Sequence, residues 1–281
     1  MMNTPDLTPV RPADPAAPWI GGKKRLARRI CQVLAGTPHD AYAEPFVGMG
    51  GIFLRRTARP RVEVINDVSG DLTNLYRVLQ RHPEALLREF RWRPAMRFEF
   101  DRLKGVRIQD LTDIERAARF LYLQTLAFGG KVQHRSFGVD TTQAHNFDIG
   151  RLAPRLQRLH DRLAGVVIEN LDWADFLPRY DRPGTLFYLD PPYWGSEDDY
   201  GPGIFSRGDF SELADALEAS QAMVLVSIND RPEVRAAFAW ADIETASTTY
   251  SLAKGSALPV TELLIGRGVN LKALEPQANL F

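Results

Sequence analysis

The sequence predicts an α/β protein built on a doubly wound mixed sheet, with a mainly helical segment inserted into it. Short apolar runs that end in glycines or acids alternate with stretches of helical periodicity, as expected where strands and helices alternate. Between residues 82 and 165 this alternation gives way to helical periodicity alone. The apolar run at 185–189 leads directly into Asp190, which places a carboxylate at the strand end where open α/β sheets bind ligands.

The composition is that of an ordinary globular protein. Of 281 residues, 44% are hydrophobic and 25% are charged, and no apolar run approaches the ~20 residues that span a bilayer. Cys31 is the only cysteine, which excludes a disulfide framework and a cysteine metal cluster. Residues 1–17 are rich in Pro, Ala and Asp and lack the apolar core of a signal peptide. We therefore expect a disordered leader there and a cytoplasmic location.

Charge is unevenly distributed although the formal net charge is +0. Residues 1–80 carry 11 basic and 7 acidic side chains, residues 81–165 carry 16 and 10, and residues 166–281 carry 8 and 18. The middle of the chain is therefore the part whose charge suits contact with phosphates. The alternative explanation is that these arginines line solvated helix faces.

The first predicted elements surround glycines. Trp19-Ile20-Gly21-Gly22-Lys23 precedes a helical pattern over 24–34 and offers a stacking surface, an approachable backbone and a cation. Next comes a short predicted strand that runs into a glycine-rich turn, within Ala41-Tyr42-Ala43-Glu44-Pro45-Phe46-Val47-Gly48-Met49-Gly50-Gly51. We expect a helix from about Ile52. This order is typical of nucleotide-binding folds, but the full G-x-G-x-x-G pattern and a phosphate-loop lysine are missing. The pattern therefore favours a cofactor without phosphates.

The next predicted strand covers residues 62–67 and ends in Asn66-Asp67. An acid roughly 20 residues after a glycine turn can accept hydrogen bonds from the hydroxyls of a ribose. The alternative is that Asp67 caps the helix predicted over 71–80. We favour the ribose role because the glycine turn and the acid occur together.

The helical segment shows apolar periodicity over 83–90, 95–104, 113–128 and 151–163. Its first part is crowded with arginines interleaved with aromatic residues. A polar loop punctuated by glycines follows at 128–138, and its side chains can reach base edges or phosphates. The residues of this loop that we predict to contact nucleic acid are Lys131, Gln133, His134 and Arg135.

Strands and helices alternate again after the insert. Strands are predicted over 165–170, 185–189 and 223–227, helices over 172–177, 210–219 and 229–238, and an antiparallel hairpin over 243–249 and 262–265. Residues 195–208 form a long acidic stretch containing glycines. A loop of that length beside a candidate site predicts a lid.

Asp190-Pro191-Pro192-Tyr193 is the motif that carries chemistry. Two consecutive prolines fix the backbone and leave the Pro191 carbonyl free, so a carboxylate, a carbonyl and an aromatic face are held close together. Two acceptors and one stacking surface suit a planar group bearing an NH2, such as adenine or cytosine. The alternative is a strand-ending turn in which Asp190 merely caps a loop.

The motifs gain specificity from their order along the chain. Trp-x-Gly-Gly-Lys, Glu-Pro-Phe-x-Gly-x-Gly, Asn-Asp, a helical insert and Asp-Pro-Pro-Tyr together resemble the Dam-like, α-group S-adenosylmethionine-dependent DNA adenine-N6 methyltransferases. The resemblance spans about residues 19–265. It implies a Rossmann-like methyltransferase fold, S-adenosylmethionine as the cofactor, and site-specific methylation of adenine N6 in double-stranded DNA. It also makes a cognate restriction endonuclease a candidate partner and leaves the oligomeric state open.

The resemblance assigns a role to each matching residue. Trp19 and Lys23 match the family's N-terminal cofactor motif, and Asp67 matches the acid that holds the ribose. The loop around the methionine part of the cofactor is matched by Phe46, Gly48 and Gly50. The catalytic motif is matched by Asp190, Pro191, Pro192 and Tyr193, of which Asp190 also lies against the cofactor.

The same resemblance implies a division of the chain. Residues 18–80 and 166–281 would form the cofactor-binding catalytic domain, and 81–165 the helical target-recognition domain. Two features of this sequence depart from the family. Pro18 stands where the family often has Lys, and the insert bears little resemblance to that of the GATC-specific enzymes. The recognised DNA sequence is therefore not predicted.

The chemistry implied for this family needs no metal and no covalent intermediate. The N6 lone pair of adenine is delocalised into the ring, so it is a poor nucleophile. Hydrogen bonds from the NH2 to the Asp190 carboxylate and the Pro191 carbonyl favour a more tetrahedral nitrogen, which can attack the sulfonium methyl directly. The base must leave the duplex to reach this pocket, and Tyr193 would stack on it.

Three alternatives stay open at the level of sequence. The first is N4-cytosine methylation in DNA, which uses the same logic but usually has Ser in place of Asp190. The second is methylation of RNA. The third is a non-catalytic protein that retains the fold and binds S-adenosylmethionine and DNA.

Overall fold

A computed structural model describes residues 7–21, 23, 26–138, 147–197, 201, 203–251 and 257–272. Within these residues the strands are β1 (Thr8–Pro9), β2 (Ala41–Glu44), β3 (Ala58–Arg59), β4 (Val62–Asn66), β5 (Val167–Glu169), β6 (Thr185–Leu189), β7 (Met223–Asn229), β8 (Asp242–Ser251) and β9 (Ala257–Arg267). The helices are α1 (Ala27–Ala35), α2 (Gly70–Arg81), α3 (Pro83–Arg88), α4 (Arg97–Lys104), α5 (Asp113–Leu126), α6 (Ile149–Leu163), α7 (Trp173–Tyr180), α8 (Arg207–Ala219) and α9 (Pro232–Ala237). No helix of this part of the chain combines the length and apolar character needed to cross a membrane.

Seven of these strands form one mixed sheet in the order β5-β4-β2-β6-β7-β9-β8. The pairs from β5 to β7 are parallel, whereas β9 runs antiparallel to both β7 and β8. From β2 the chain moves outward through β4 to β5 and then returns to the other side of β2 as β6. The strand order therefore reverses between β2 and β6, which is where a doubly wound sheet binds its ligand.

The alternation of side chains along each strand builds a core on each face of the sheet. Leu186 and Tyr188 of β6 pack with α1, α2, α5 and α6 on one face. Phe187 and Leu189 pack with α7, α8 and α9 on the other. All five residues of β6 are buried, so both faces of this central strand are covered. The predicted doubly wound α/β fold is confirmed.

The helices of the inserted segment join the core of the first face. Phe100 of α4, Leu123 of α5 and Leu156 of α6 belong to the same hydrophobic cluster as Tyr42 of β2 and Ile65 of β4. The segment is helical, as predicted, and it covers the sheet with its inner side. Its role as a target-recognition domain stays a prediction.

The prediction of a disordered leader over 1–17 is wrong for residues 7–17. β1 pairs antiparallel with β3, and the Ala13 amide donates to the Leu54 carbonyl over 2.8 Å. Ala13, Ala16 and Ala17 are buried in the core of the first face. Small side chains let this segment lie close to the sheet domain, a role that average composition cannot reveal.

The helix predicted from about Ile52 is also wrong. The glycine turn is followed by a single 3-10 turn, Phe53–Arg55, and the backbone is extended at Arg56. Arg56 is 98% buried, and its guanidinium donates to the Glu63 carboxylate over 2.8 Å. The chain thus leaves the helical turn at Arg56, whose side chain pairs with Glu63 of β4.

Candidate active site

A cavity of about 880 Å³ opens at the carboxyl ends of β4, β2 and β6, beside the point where the strand order reverses. Seven of the residues predicted to bind the cofactor or to take part in catalysis line it: Trp19, Lys23, Phe46, Gly48, Asp67, Asp190 and Pro192. Residues that are far apart in sequence therefore converge on one crevice. Gly50, Pro191 and Tyr193 are not among the residues that line it.

Asp67 follows β4 and is fixed by two backbone amides. Its Oδ2 accepts a hydrogen bond from the Gly48 amide over 3.0 Å, and its Oδ1 accepts one from the Ser69 amide over 2.9 Å. Burial raises the pKa of Asp67 to about 6, although both amides act in the opposite direction. Each carboxylate oxygen retains further acceptor capacity towards the cavity.

The glycines of the turn after β2 allow other side chains of the protein to pack closely against the backbone. Gly48 has φ +50°, and a Cβ there would lie 2.8 Å from Nε1 of Trp19. The Gly48 carbonyl accepts a hydrogen bond from the Tyr76 hydroxyl over 2.8 Å. Gly50 has φ +75°, and a Cβ there would meet Leu54. The close approach that requires glycine at 48 is therefore that of Trp19, whose ring forms part of the cavity wall.

Asp190 lies at the end of β6 within a buried charge cluster. The Lys23 ammonium lies 3.0 Å from Asp190 Oδ1, donates to Glu262 Oε2 over 2.7 Å, and donates to the Tyr193 hydroxyl over 2.6 Å. Ser227 approaches the same Asp190 oxygen at 3.5 Å. Asp190 Oδ2 takes no hydrogen bond from the described residues, which leaves an acceptor at the cavity.

The pKa values of this cluster reflect burial and mutual charge. Burial raises the pKa of Asp190 to about 6; the Lys23 ammonium opposes this rise and the Glu262 carboxylate adds to it. Burial alone would lower the pKa of Lys23, but the two carboxylates outweigh it and the pKa is raised. Lys23 is therefore a fixed cation, whereas the pKa of Asp190 is about 6.

The turn after Asp190 is rigid for two reasons. Pro191 and Pro192 are buried and restrict the backbone. Asn229 at the end of β7 bonds Trp194 twice, accepting from its amide over 2.9 Å and donating to its carbonyl over 3.0 Å. The half-buried Tyr193 ring lies with its centroid 4.3 Å from the Lys23 ammonium.

Two acids of the site were not among the predicted site residues. Glu262 of β9 is 99% buried beside Lys23. Glu44 of β2 is equally buried, lines the cavity, and accepts a hydrogen bond from the Tyr42 hydroxyl. Burial raises the pKa of Glu44 to about 8. The sequence did carry a signal for Glu262, which stands inside the largely apolar run 258–265. An acid in such a run is expected to be buried, and a buried acid needs a partner.

The predicted nucleic-acid loop divides into two parts. Lys131, Gln133 and His134 are exposed, and His134 has φ +49°. Arg135 instead turns inward and donates to Gln124 Oε1 over 2.9 Å. Burial lowers the pKa of Arg135 to about 10, and both Arg135 and Gln133 line the cavity. Arg135 thus lies where it would contact a small ligand or stabilise the wall, not on the outer surface.

The predicted lid at 195–208 is described only in part, because residues 198–200 and 202 lie outside the described residues. Its last part closes one side of the cavity. Phe205 is buried, and its ring centroid lies 5.9 Å from that of Phe46 in an edge-on contact. Lid motion stays a prediction.

This chain is similar in sequence to known proteins. Residues 19–252 match the family model described as D12 class N6 adenine-specific DNA methyltransferase. The chain is similar to the DNA adenine methylase of Serratia marcescens, at 31% identity over 233 residues, which cover 75% of this chain and 82% of that protein. It is also similar to the Type II methyltransferase M1.LlaDCHI of Lactococcus lactis subsp. cremoris, at 28% identity over 193 residues.

A third similar protein is the DNA N-6-adenine-methyltransferase of Escherichia phage P1, at 27% identity over 243 residues. The matched region covers 77% of this chain but 30% of the phage protein. For the lactococcal protein the corresponding shares are 64% and 65%. The chain therefore spans less than two thirds of the length of these two relatives.

Proposed function

Because the chain belongs to the D12 class of N6 adenine-specific DNA methyltransferases, we propose that it transfers the methyl group of S-adenosylmethionine to adenine N6 at specific sites in double-stranded DNA. The family predicted from the sequence motifs is confirmed. The observation that carries the proposed activity is Asp190. One oxygen of this carboxylate is held by Lys23, and the other has no hydrogen bond among the described residues, at the edge of a cavity of small-molecule size.

The residues of the cavity fit S-adenosylmethionine. The volume of about 880 Å³ falls within the range of roughly 300–1,000 Å³ that is typical of small-molecule sites. Asp67 offers free acceptor positions suited to ribose hydroxyls, and Trp19 and Phe46 offer apolar surface suited to the rest of the cofactor. When bound, this cofactor supplies a methyl group on a positively charged sulfur.

The chain's own residues prepare the nucleophile. The open Oδ2 of Asp190 accepts a hydrogen bond from the adenine NH2, while Lys23 fixes the orientation of the carboxylate through Oδ1. With a pKa of about 6, Asp190 is ionised at neutral pH and is a charged acceptor. It is also placed to receive the proton that the amino nitrogen loses after methylation. Lys23 and the two prolines hold the turn, so little reorganisation accompanies the reaction.

We assign DNA contact to the outer side of the inserted segment at 81–165. Lys131, Gln133 and His134 are exposed on the loop whose inner side lines the cavity, which suits contact with DNA next to an extruded base. Arg135 is withdrawn from this set because it is tied to Gln124. The same proposal gives the catalytic role to residues 18–80 together with 166–281. It gives the target-recognition role to residues 81–165.

Modification-sensitive sequencing tests the activity. Plasmid DNA from a methylation-deficient host that expresses the protein should carry N6-methyladenine at one recurring short motif, and the Asp190→Ala variant should carry none. N4-methylcytosine would overturn the base assignment, although family membership favours adenine. Unmodified DNA together with cofactor binding would favour RNA methylation or a non-catalytic role.

Two further expectations from the sequence stay predictions. A cognate restriction endonuclease is one, since relatives carry both Type II methyltransferase and DNA adenine methylase names. A cytoplasmic location is the other.

A further inference from the structure

We propose that Glu262 is a positioning residue of the methyl-transfer site, which shares the Lys23 ammonium with Asp190 and so keeps the reaction site anionic. This inference rests on the proposed function. Glu262 belongs to β9, at the far end of the chain from Lys23. Along the sequence, Glu262 lies outside the glycine motifs and the Asp-Pro-Pro-Tyr motif. In the structure it is 99% buried against the ammonium of Lys23.

The contacts of Lys23 define the arrangement. An ammonium has three N–H donors, and Lys23 has three acceptors within 3.0 Å: Asp190, Glu262 and Tyr193. The side chain is 99% buried, so water does not compete for these positions. Lys23 is therefore fixed by Glu262 and Tyr193, and Asp190 is oriented through it.

The charges of the cluster give Glu262 its effect. Lys23 and Asp190 alone would form a neutral pair, and the ammonium would draw electron density from the carboxylate that must accept the adenine NH2. Glu262 adds a second carboxylate to the single ammonium, which gives the cluster a net charge of −1. During transfer the amino nitrogen uses its lone pair to form the new N–C bond, the S–C pair stays on sulfur, and positive charge moves to the nitrogen. A net negative cluster stabilises that charge in the buried site.

The surroundings of Asp190 support this role. Lys23 lowers the pKa of Asp190 and Glu262 raises it. The other polar groups near Asp190 are the Ser227 hydroxyl on β7, the Tyr188 hydroxyl on β6 and the Glu44 carboxyl on β2. None of these contacts Lys23 among the described residues. Glu262 is thus the described acid that competes directly with Asp190 for the ammonium.

Glu262→Gln keeps the shape and removes the charge. We expect the plateau of the single-turnover rate to fall about tenfold or more, with little change in the KM for DNA. Because the Glu262 charge raises the pKa of Asp190, its removal should move the acid limb of the rate profile to lower pH. Loss of structure alone would not produce a shift in that direction.

Equilibrium binding gives a readout independent of turnover. Titration calorimetry without DNA compares S-adenosylmethionine, which carries a positive sulfur, with the uncharged-sulfur product S-adenosylhomocysteine. The wild type should favour the charged ligand more strongly than Glu262→Gln does, by about threefold or more. Glu244→Gln, on the neighbouring strand and paired with Arg29, is the matched control and should behave as the wild type.

The Glu262→Asp variant separates the effect of the side-chain charge from that of the side-chain length. It is the test to use if the Glu262→Gln variant does not fold. It retains the negative charge, so the acid limb should stay in place while the plateau falls. An unchanged plateau and acid limb in Glu262→Gln, with an active wild type, would overturn the inference alone. A wild type that transfers no methyl group to adenine would overturn the proposed function, and the inference with it.

Discussion

Replacing Arg162 by Met should destabilise the protein, because Arg162 joins the inserted segment to the sheet through a buried charge. Arg162 of α6 is fully buried and donates two hydrogen bonds to the Glu63 carboxylate of β4, both over 2.7 Å. It also donates to the Phe53 carbonyl over 3.2 Å. The substitution leaves Glu63 charged and 96% buried.

The magnitude follows from what Glu63 retains. Removing one partner of a buried ion pair costs about 3–5 kcal/mol, mainly because the other charge is left without compensation. Glu63 keeps the Arg56 guanidinium at 2.8 Å, so part of its charge stays balanced. Met also fills most of the vacated space with apolar atoms. We therefore expect a loss at the lower end of the range, about 3 kcal/mol.

Urea denaturation at neutral pH measures this loss directly. Arg151→Met on the same helix is the matched control, because Arg151 and its partner Asp148 are both exposed and 3.6 Å apart. The control should lose less than about 0.5 kcal/mol. A loss below about 1 kcal/mol for Arg162→Met would show that the buried pair does not hold α6 on the sheet.

Three further predictions concern the site. The rate of single-turnover methylation should decline as the pH falls through about 6, because protonated Asp190 is no longer a charged acceptor. A rate that does not change between about pH 5 and pH 8 would contradict this prediction. Gly48→Ala should weaken cofactor binding in calorimetry about tenfold, since a Cβ would lie 2.8 Å from Trp19 at φ +50°, whereas Gly129→Ala, also at positive φ but with open space, should not. Lys131→Ala should weaken DNA binding and reduce its salt slope by about 1, with cofactor affinity intact; an unchanged slope would place Lys131 away from phosphate.

The central strands could be predicted because local sequence specifies them. β6 matches its predicted bounds, since Pro183-Gly184 precedes it and Asp190-Pro191 ends it. Asp67, the acid after β4, lines the crevice, and its ribose-binding role stays a prediction. Glycines, prolines and short apolar runs act through their own backbone, so one sequence suffices to read them.

Other features depend on pairing between distant segments. Glu262 meets Lys23 only because β9 inserts next to β7, and no local pattern encodes that register. From the sequence, Arg135 is one of the cations of a basic loop. In the structure it is held inward by its hydrogen bond to Gln124, which the sequence does not reveal. The buried alanines before Trp19 were not predicted. A polar, proline-rich composition does not show which small side chains pack against the core.

The strand order has a consequence for synthesis on the ribosome. β8 pairs only with β9 among the described strands, and β9 lies between β8 and β7. As the chain emerges, β8 therefore cannot join the sheet until β9 has been translated. Chains begin to fold from the N-terminal side during synthesis, so Lys23 and Asp190 can meet before Glu262 exists. A nascent chain that stops short of β9 would hold its methyl-transfer cluster neutral, and the completed site would form only as β9 closes the sheet.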